Sequence, residues 1–143
     1  MLILVVEDET LIAFAVEWAL RIAGHDVLGP VDSVEDAIRH ATARRPDLAL
    51  IDLNLRDGGD GVDVARFLHE QYQAPCLFLS AQVAYARAHR HLAWGLVRKP
   101  YDSSNLTSIA SFIQQVARGQ RPSSTPADLE LFISLPPLDR AAS

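Results

Sequence analysis

The sequence predicts an α/β domain built on one parallel sheet with helices over both faces. Three observations predict it. Short apolar runs alternate five times with longer amphipathic segments, and the connections between them are brief. The runs "LILVV", "LALI" and "CLFL" are apolar throughout, without the polar alternation of half-exposed strands. Strands buried on both faces read in this way, and successive parallel strands need a crossover helix between them. Right-handed crossovers reduce the choice to a doubly wound arrangement of five strands and five helices.

The elements follow in order. Residues 2–6 form the first strand. Over 10–23, Leu11, Phe14, Ala15, Trp18 and Ile22 recur at three- and four-residue spacing, which predicts a helix, with Trp18 in the core from its spacing with Phe14 and Ile22. Gly24 supplies its stop. A second strand at 26–28 is expected to break at Gly29-Pro30. Ser33 opens the second helix, with Asp36 three positions on as a short version of the capping box, and Pro46 lies beyond its end near Arg44. Residues 48–51 are the third strand, 62–72 the third helix, 76–79 the fourth strand and 84–91 a short basic helix. Residues 95–98 are the fifth strand, and 105–118 a final helix closed by Gly119. The last two dozen residues change character: four prolines (122, 126, 136 and 137) suit a linker or tail. Within it Leu129, Leu131, Ile133 and Leu135 alternate as a strand does. That pattern fits docking on the domain, addition to a sheet edge or a partner contact, with a disordered tail as the alternative.

Composition narrows the class. A chain of 143 residues, 49% hydrophobic and 22% charged, suits one soluble domain with its own core. A net charge of −5 argues against nucleic acid as the main partner, since phosphate backbones call for a basic patch. The single cysteine, Cys76, forms no internal disulfide, which suits a reducing compartment. "MLILVV" has no basic leader and meets "EDE" after six residues, too short for a signal peptide core or a membrane span. The expected location is the cytoplasm.

In an open parallel sheet, ligands bind beyond the carboxyl ends of the strands, where strand order reverses. Glu7 and Asp8 follow the first apolar run, Asp52 ends the third, Ser80 the fourth and Lys99 the fifth. Three carboxylates brought to one edge repel one another, and a hard divalent cation relieves that repulsion. Magnesium takes a few oxygen ligands and is commonly completed by a phosphate. Lys99 adds a compact positive charge and Ser80 a hydrogen-bond donor, so the set suits a phosphoryl group on or beside a carboxylate.

These residues also carry a family resemblance. In order and spacing, "VVEDE" (5–9), "PDLALIDLNL" (46–55), "LFLSA" (77–81) and "VRKPYD" (97–102) resemble the receiver domain of bacterial two-component response regulators, from residue 1 to 119, with 120–143 as tail. The short segment between Ser80 and Lys99 is similar to a compact subgroup found in alphaproteobacteria. The resemblance implies a flavodoxin-like sheet of order 2-1-3-4-5 and phosphorylation of Asp52 by a histidine kinase or phosphotransfer protein. It implies Mg2+ held by Asp8, Glu7, Asp52 and the backbone carbonyl of Asn54. Ser80 would bond the phosphoryl group, Lys99 would pair with it, and the Lys99–Pro100 peptide bond would be cis.

Three positions depart from the family pattern. Leu96 stands where an aromatic residue is common, so a rotating-aromatic account of switching does not transfer, and Tyr101 is a partial substitute. The Ser80–Lys99 segment is short. Arg56 stands where a proline is common, and "RDGGDG" reads as a turn more than as a phosphate cradle. His89 and His91 have no partner ligands in the sequence and read as surface residues. The functional expectation is a stand-alone response regulator, not an enzyme, that signals to a downstream protein, with homodimerisation left open. Two alternatives stand beside it: a phosphorylation-independent interaction module, and an aspartyl-phosphate phosphatase. The second would want an acid two residues after the nucleophile, where Asn54 stands.

Overall fold

The computed structural model describes residues 1–137. Its elements are β1 (Leu2–Val6), α1 (Thr10–Ile22), β2 (Asp26–Val31), α2 (Val34–Ala43), β3 (Leu48–Asp52) and α3 (Gly61–Tyr72), followed by β4 (Cys76–Ser80) and α4 (Val83–Ala88). A 3-10 turn (Arg90–Leu92) leads into β5 (Gly95–Arg98), then α5 (Asn105–Ala117) and β6 (Leu129–Leu131). The sheet order is β2-β1-β3-β4-β5-β6. The first five strands pair in parallel, in the predicted order, and β6 pairs antiparallel with β5. The expected five-stranded sheet therefore gains a sixth strand from the tail.

Alternation along each strand divides the core into two layers. Leu4, Val6, Ala49, Ile51, Cys76, Phe78 and Leu96 face one side, against Ala37 and Ala41 of α2, Val64, Ala65 and Leu68 of α3, and Ala86 of α4. Ile3, Val5, Leu48, Leu50, Leu77, Leu79 and Val97 face the other, against Val16 and Leu20 of α1 and Leu106, Ile109, Phe112 and Ile113 of α5. This is the period-two geometry of a strand applied to a sheet covered twice. Leu96, fully buried, sits on the α3/α4 side. Among the described residues no helix is long and apolar enough to cross a membrane.

Three expectations need correction. First, β2 does not stop at Gly29-Pro30 but runs through it, with a cis peptide bond there. Gly29 takes φ +93°, and a Cβ on it would lie 2.8 Å from the Val31 nitrogen and 3.1 Å from the Val5 oxygen. The β1–β2 register shifts between Leu4 and Val6 to absorb the irregularity, and an edge strand tolerates proline because its outward side needs no donor. Second, the predicted helix at 84–91 is only Val83–Ala88, with the 3-10 turn after it. Burial of Leu92 and Ala93 draws the chain back to the sheet there.

Third, Trp18, predicted for the α1 core, lies outside it together with its neighbours on that stripe. Trp18, Phe14 and Ile22 are 61%, 64% and 69% exposed, while Ala13, Val16 and Leu20 are buried. Helix α1 is apolar nearly all round, so two stripes of equal periodicity compete for the sheet, and packing selects the narrower one. The capping expectation at α2 is met by half: Ser33 Oγ accepts from the Asp36 N–H at 3.1 Å, while the Asp36 carboxylate pairs with Arg39.

The α3 start depends on a glycine that the sequence did not single out. A Cβ on Gly61 would collide with the Asp52 carbonyl oxygen and lie 2.7 Å from Ile51 Cγ2. Gly61→Ala is therefore expected to cost about 2 kcal/mol of stability through overpacking, read by chemical denaturation. Trp18→Ala should change stability by less than about 1 kcal/mol, whereas Leu20→Ala should cost about 2–5 kcal/mol. Equal losses in the last two would contradict the placement of α1.

Candidate functional site

Parallel strands all end at the same edge of the sheet, so residues far apart in sequence arrive together. Glu7 follows β1, and its N–H donates to the Val31 carbonyl at 2.9 Å, which fixes it beside the end of β2. Asp52 ends β3, Ser80 ends β4, and the Lys99 N–H donates to the Ser80 carbonyl at 3.1 Å. Glu7, Asp52 and Ser80 are the buried polar side chains among the described residues.

Glu7, Asp8 and Asp52 bring a carboxylate oxygen each to within 4.8 Å of one another. Lys99 stands among them: its Nζ donates to Asp52 Oδ2 at 2.9 Å and to Glu7 Oε1 at 3.3 Å. Asp52 Oδ1 accepts from the Asn54 N–H at 3.0 Å. Glu7 Oε2 is buried without a partner. Asp8 lies 3.8 Å from Arg56 Nε, a contact that the sequence did not foresee, and the arginine is mostly exposed.

The electrostatics follow from this crowding. Burial, reinforced by the closeness and charge of Asp52, pushes the Glu7 carboxyl up to about 8 against the opposing pull of Lys99. Burial alone would also raise Asp52, but the closeness of Glu7 and the hydrogen bonds from Lys99 and the Asn54 N–H outweigh it and hold the group below the ordinary carboxylate range. Burial would lower the Lys99 ammonium, yet its carboxylate partners, Asp52 first, raise it. The two carboxyls are thus pulled in opposite directions, Glu7 up and Asp52 down.

The remaining predicted residues fall into place unevenly. Ser80 Oγ accepts from the Gln82 N–H at 2.9 Å and makes no bond to the acidic cluster. Asn54 keeps its side chain exposed, and its backbone bridges to Asp60 in the turn before α3. Asp60 in turn caps α3 by accepting from the Val62 N–H and is bonded by Tyr85 Oη of α4, a link the sequence reading missed because nothing local marks it. The glycine loop contributes a turn: the Gly58 N–H donates to Leu55 O at 3.1 Å, and Leu55 N–H to Gly59 O at 3.3 Å. His89 is tied to the Tyr85 carbonyl through Nδ1, and neither His89 nor His91 enters a metal-ligating group among the described residues. Tyr101 packs beside the site, its hydroxyl buried without a partner and its pKa raised by burial and by the charges of Glu7 and Asp52.

Comparison with known proteins agrees with this arrangement. A family model described as the response regulator receiver domain matches residues 3–111. The phyllosphere-induced regulator PhyR of Methylorubrum extorquens is 33% identical over 121 residues, which cover 81% of this chain and 45% of that protein. The sensory transduction protein LytT of Bacillus cereus is 31% identical over 107 residues, covering 73% of this chain and 43% of that protein. The chain thus spans less than half the length of these curated relatives. Among solved structures, the signal receiver domain of a modulated diguanylate cyclase from Desulfovibrio desulfuricans matches with TM-score 0.68 and 34% identity, covering 80% of this chain and 94% of that one. The receiver domain of NtrX from Brucella abortus matches with TM-score 0.69 and 25% identity, covering 76% and 94%. With its doubly wound sheet and the acidic cluster at the carboxyl edge, the chain belongs to the response regulator receiver domain family.

Proposed function

We propose that Asp52 accepts a phosphoryl group from a histidine kinase or phosphotransfer protein, with Mg2+ held by Glu7, Asp8, Asp52 and the Asn54 backbone carbonyl. One observation carries this reading: three acidic ligand atoms within 4.8 Å of one another, balanced by a single half-buried lysine and leaving a buried Glu7 oxygen without a partner. The donor set is all oxygen and short of positive charge, which fits a hard divalent ion. When bound, that ion supplies charge neutralisation to the transferring phosphoryl group.

The chain's own residues do the rest. Asp52 is kept ionised by Lys99 and by the Asn54 N–H, so one of its oxygens serves as nucleophile. It attacks phosphorus as the P–N bond of the donor's phosphohistidine breaks. The electron pair departs on the imidazole nitrogen and an acyl phosphate remains on Asp52. Lys99, already on Asp52, pairs with the new phosphoryl oxygens. Ser80 accepts from Gln82, which leaves its own O–H to donate to the phosphoryl group.

These two contacts define the switch. Ser80 leads into α4 and Lys99 follows β5, so drawing both toward the phosphoryl group biases the α4–β5 side of the domain. The signal passes to a downstream protein through contacts on that surface, and a homodimer is one form such a contact takes. Asn54 places an amide two residues past Asp52, so no general acid stands there for turnover of phosphate esters.

Incubation with a small phosphodonor and Mg2+ should label the wild-type protein, read by intact-protein mass spectrometry. Asp52→Asn should remain unlabelled, and chelating the metal should reduce wild-type labelling by about 100-fold or more. Labelling of Asp52→Asn at the wild-type level would overturn the assignment.

A pH dependence follows from Glu7 in the metal-free protein. Its folded pKa of about 8 exceeds the ordinary carboxylate value of 4.5, so the folded state binds the extra proton between them. The corresponding stability is fully present below pH 4.5 and is lost as pH rises toward 8. Chemical denaturation in chelator should show stability falling across that window, and Glu7→Gln should flatten the slope.

A further inference from the structure

Strand β6 lies on the edge of β5 in a seat that the sequence prepares for it. Leu129, Glu130 and Leu131 pair with Val97, Leu96 and Gly95, and the Phe132 N–H extends the contact to the Trp94 carbonyl at 2.8 Å. Gly95 leaves room for this approach: a Cβ there would lie 2.7 Å from the Glu130 carbonyl oxygen and 2.9 Å from Leu129 Cδ1. Two cations from different elements converge on the central acid. Arg87 of α4 donates to both Glu130 carboxylate oxygens, at 2.8 and 2.6 Å, and Arg98 of β5 reaches Oε1 at 3.3 Å. Leu129 is buried against the α5 layer, Leu131 packs at its margin, and the Arg90 guanidinium lies 5.4 Å from the Phe132 ring centre.

We propose that this edge of β5 is a docking site for an extended partner segment carrying an acidic residue between two apolar ones, and that residues 129–132 occupy it in cis. The edge has the three elements of strand addition: a β5 backbone that pairs on this side with β6 alone, an apolar seat beside the glycine gap, and a paired-arginine clamp selective for a carboxylate. The two arginines outnumber the one carboxylate that they hold, so charge favours an acidic occupant. The cis segment is poorly secured. It pairs over three residues, its clamp is partly exposed on all three side chains, and the segment leading to it contains Pro122 and Pro126. Short edge strands with exposed ion pairs open at the low end of a domain's stability range, so a partner strand competes with a tethered one and not with the core. The site lies apart from Asp52 and does not rest on the phosphorylation reading.

The test uses the full chain with Glu130→Lys, which sets like charges against Arg87 and Arg98 and expels the cis strand while leaving the seat intact. A fluorescent peptide with the sequence of residues 127–134 is the probe, read by anisotropy, with circular dichroism confirming that each protein is folded. The peptide should bind the variant about tenfold or more tighter than the wild type, because the tethered competitor is gone. Replacing the peptide's glutamate by lysine, or adding Arg87→Glu to the protein, should abolish that gain. Equal affinity for both proteins, no binding to the folded variant, or binding indifferent to the peptide's charge would each overturn the proposal. A concentration-dependent wild-type dimer that exchanges residues 129–132 would give the edge to a second copy and overturn the partner assignment.

Discussion

The charge balance at the carboxyl edge of the sheet is the constraint on which the rest depends. Parallel strands deliver Glu7, Asp8 and Asp52 to one place, and the repulsion among them has to be offset for the edge to stay closed. Lys99 does this by bonding Asp52 and Glu7 together. It also joins the first, third and fifth strands through side chains, although no two of its partners are neighbours in the sequence. The compensation is incomplete, since the Glu7 carboxyl is held above the ordinary carboxylate range and one of its oxygens finds no donor. A site left short of positive charge is suited to receive a cation and then an anion.

The same strand ends connect the site to the periphery. Ser80 continues into the turn before α4, and Arg98, the last residue of β5, directly precedes Lys99. Arg98 also reaches the Glu130 clamp, so the lysine beside the acids and the arginine that holds the tail are neighbours in the chain at the end of β5 and serve different tasks. On the opposite side, the exposed stripe of Leu11, Phe14, Trp18 and Ile22 adjoins Tyr101 and Ser103 in shallow apolar grooves. Of the stripe, Leu11 stands beside Lys99 and Tyr101, at the carboxyl edge.

Much of this was legible in the chain itself. The unbroken apolar runs identified the parallel strands, and the polar residues that end them identified the candidate site, because strand direction in such a sheet fixes which end a residue occupies. Less legible were features whose cause lies across the fold. Nothing near Gly61 announces that Asp52 and Ile51 stand over it, and nothing in "RDGGDG" says that Arg56 leans toward Asp8. The Tyr85–Asp60 link joins the start of α3 to α4 and has no local signature.

The sequence by itself determined the layered architecture, the strand order implied by its family and the identity of the residues gathered at the carboxyl edge. Periodicity and strand polarity are properties of the chain, and they need no knowledge of its neighbours. Only the tertiary structure decided which stripe of α1 is buried, that β2 continues through Gly29-Pro30, and that 129–131 close the open edge of β5. It also decided that Glu7 is pushed up and Asp52 down. Each of these rests on competition between groups distant in sequence for the same space, hydrogen bond or charge, and that competition exists only once the chain has folded.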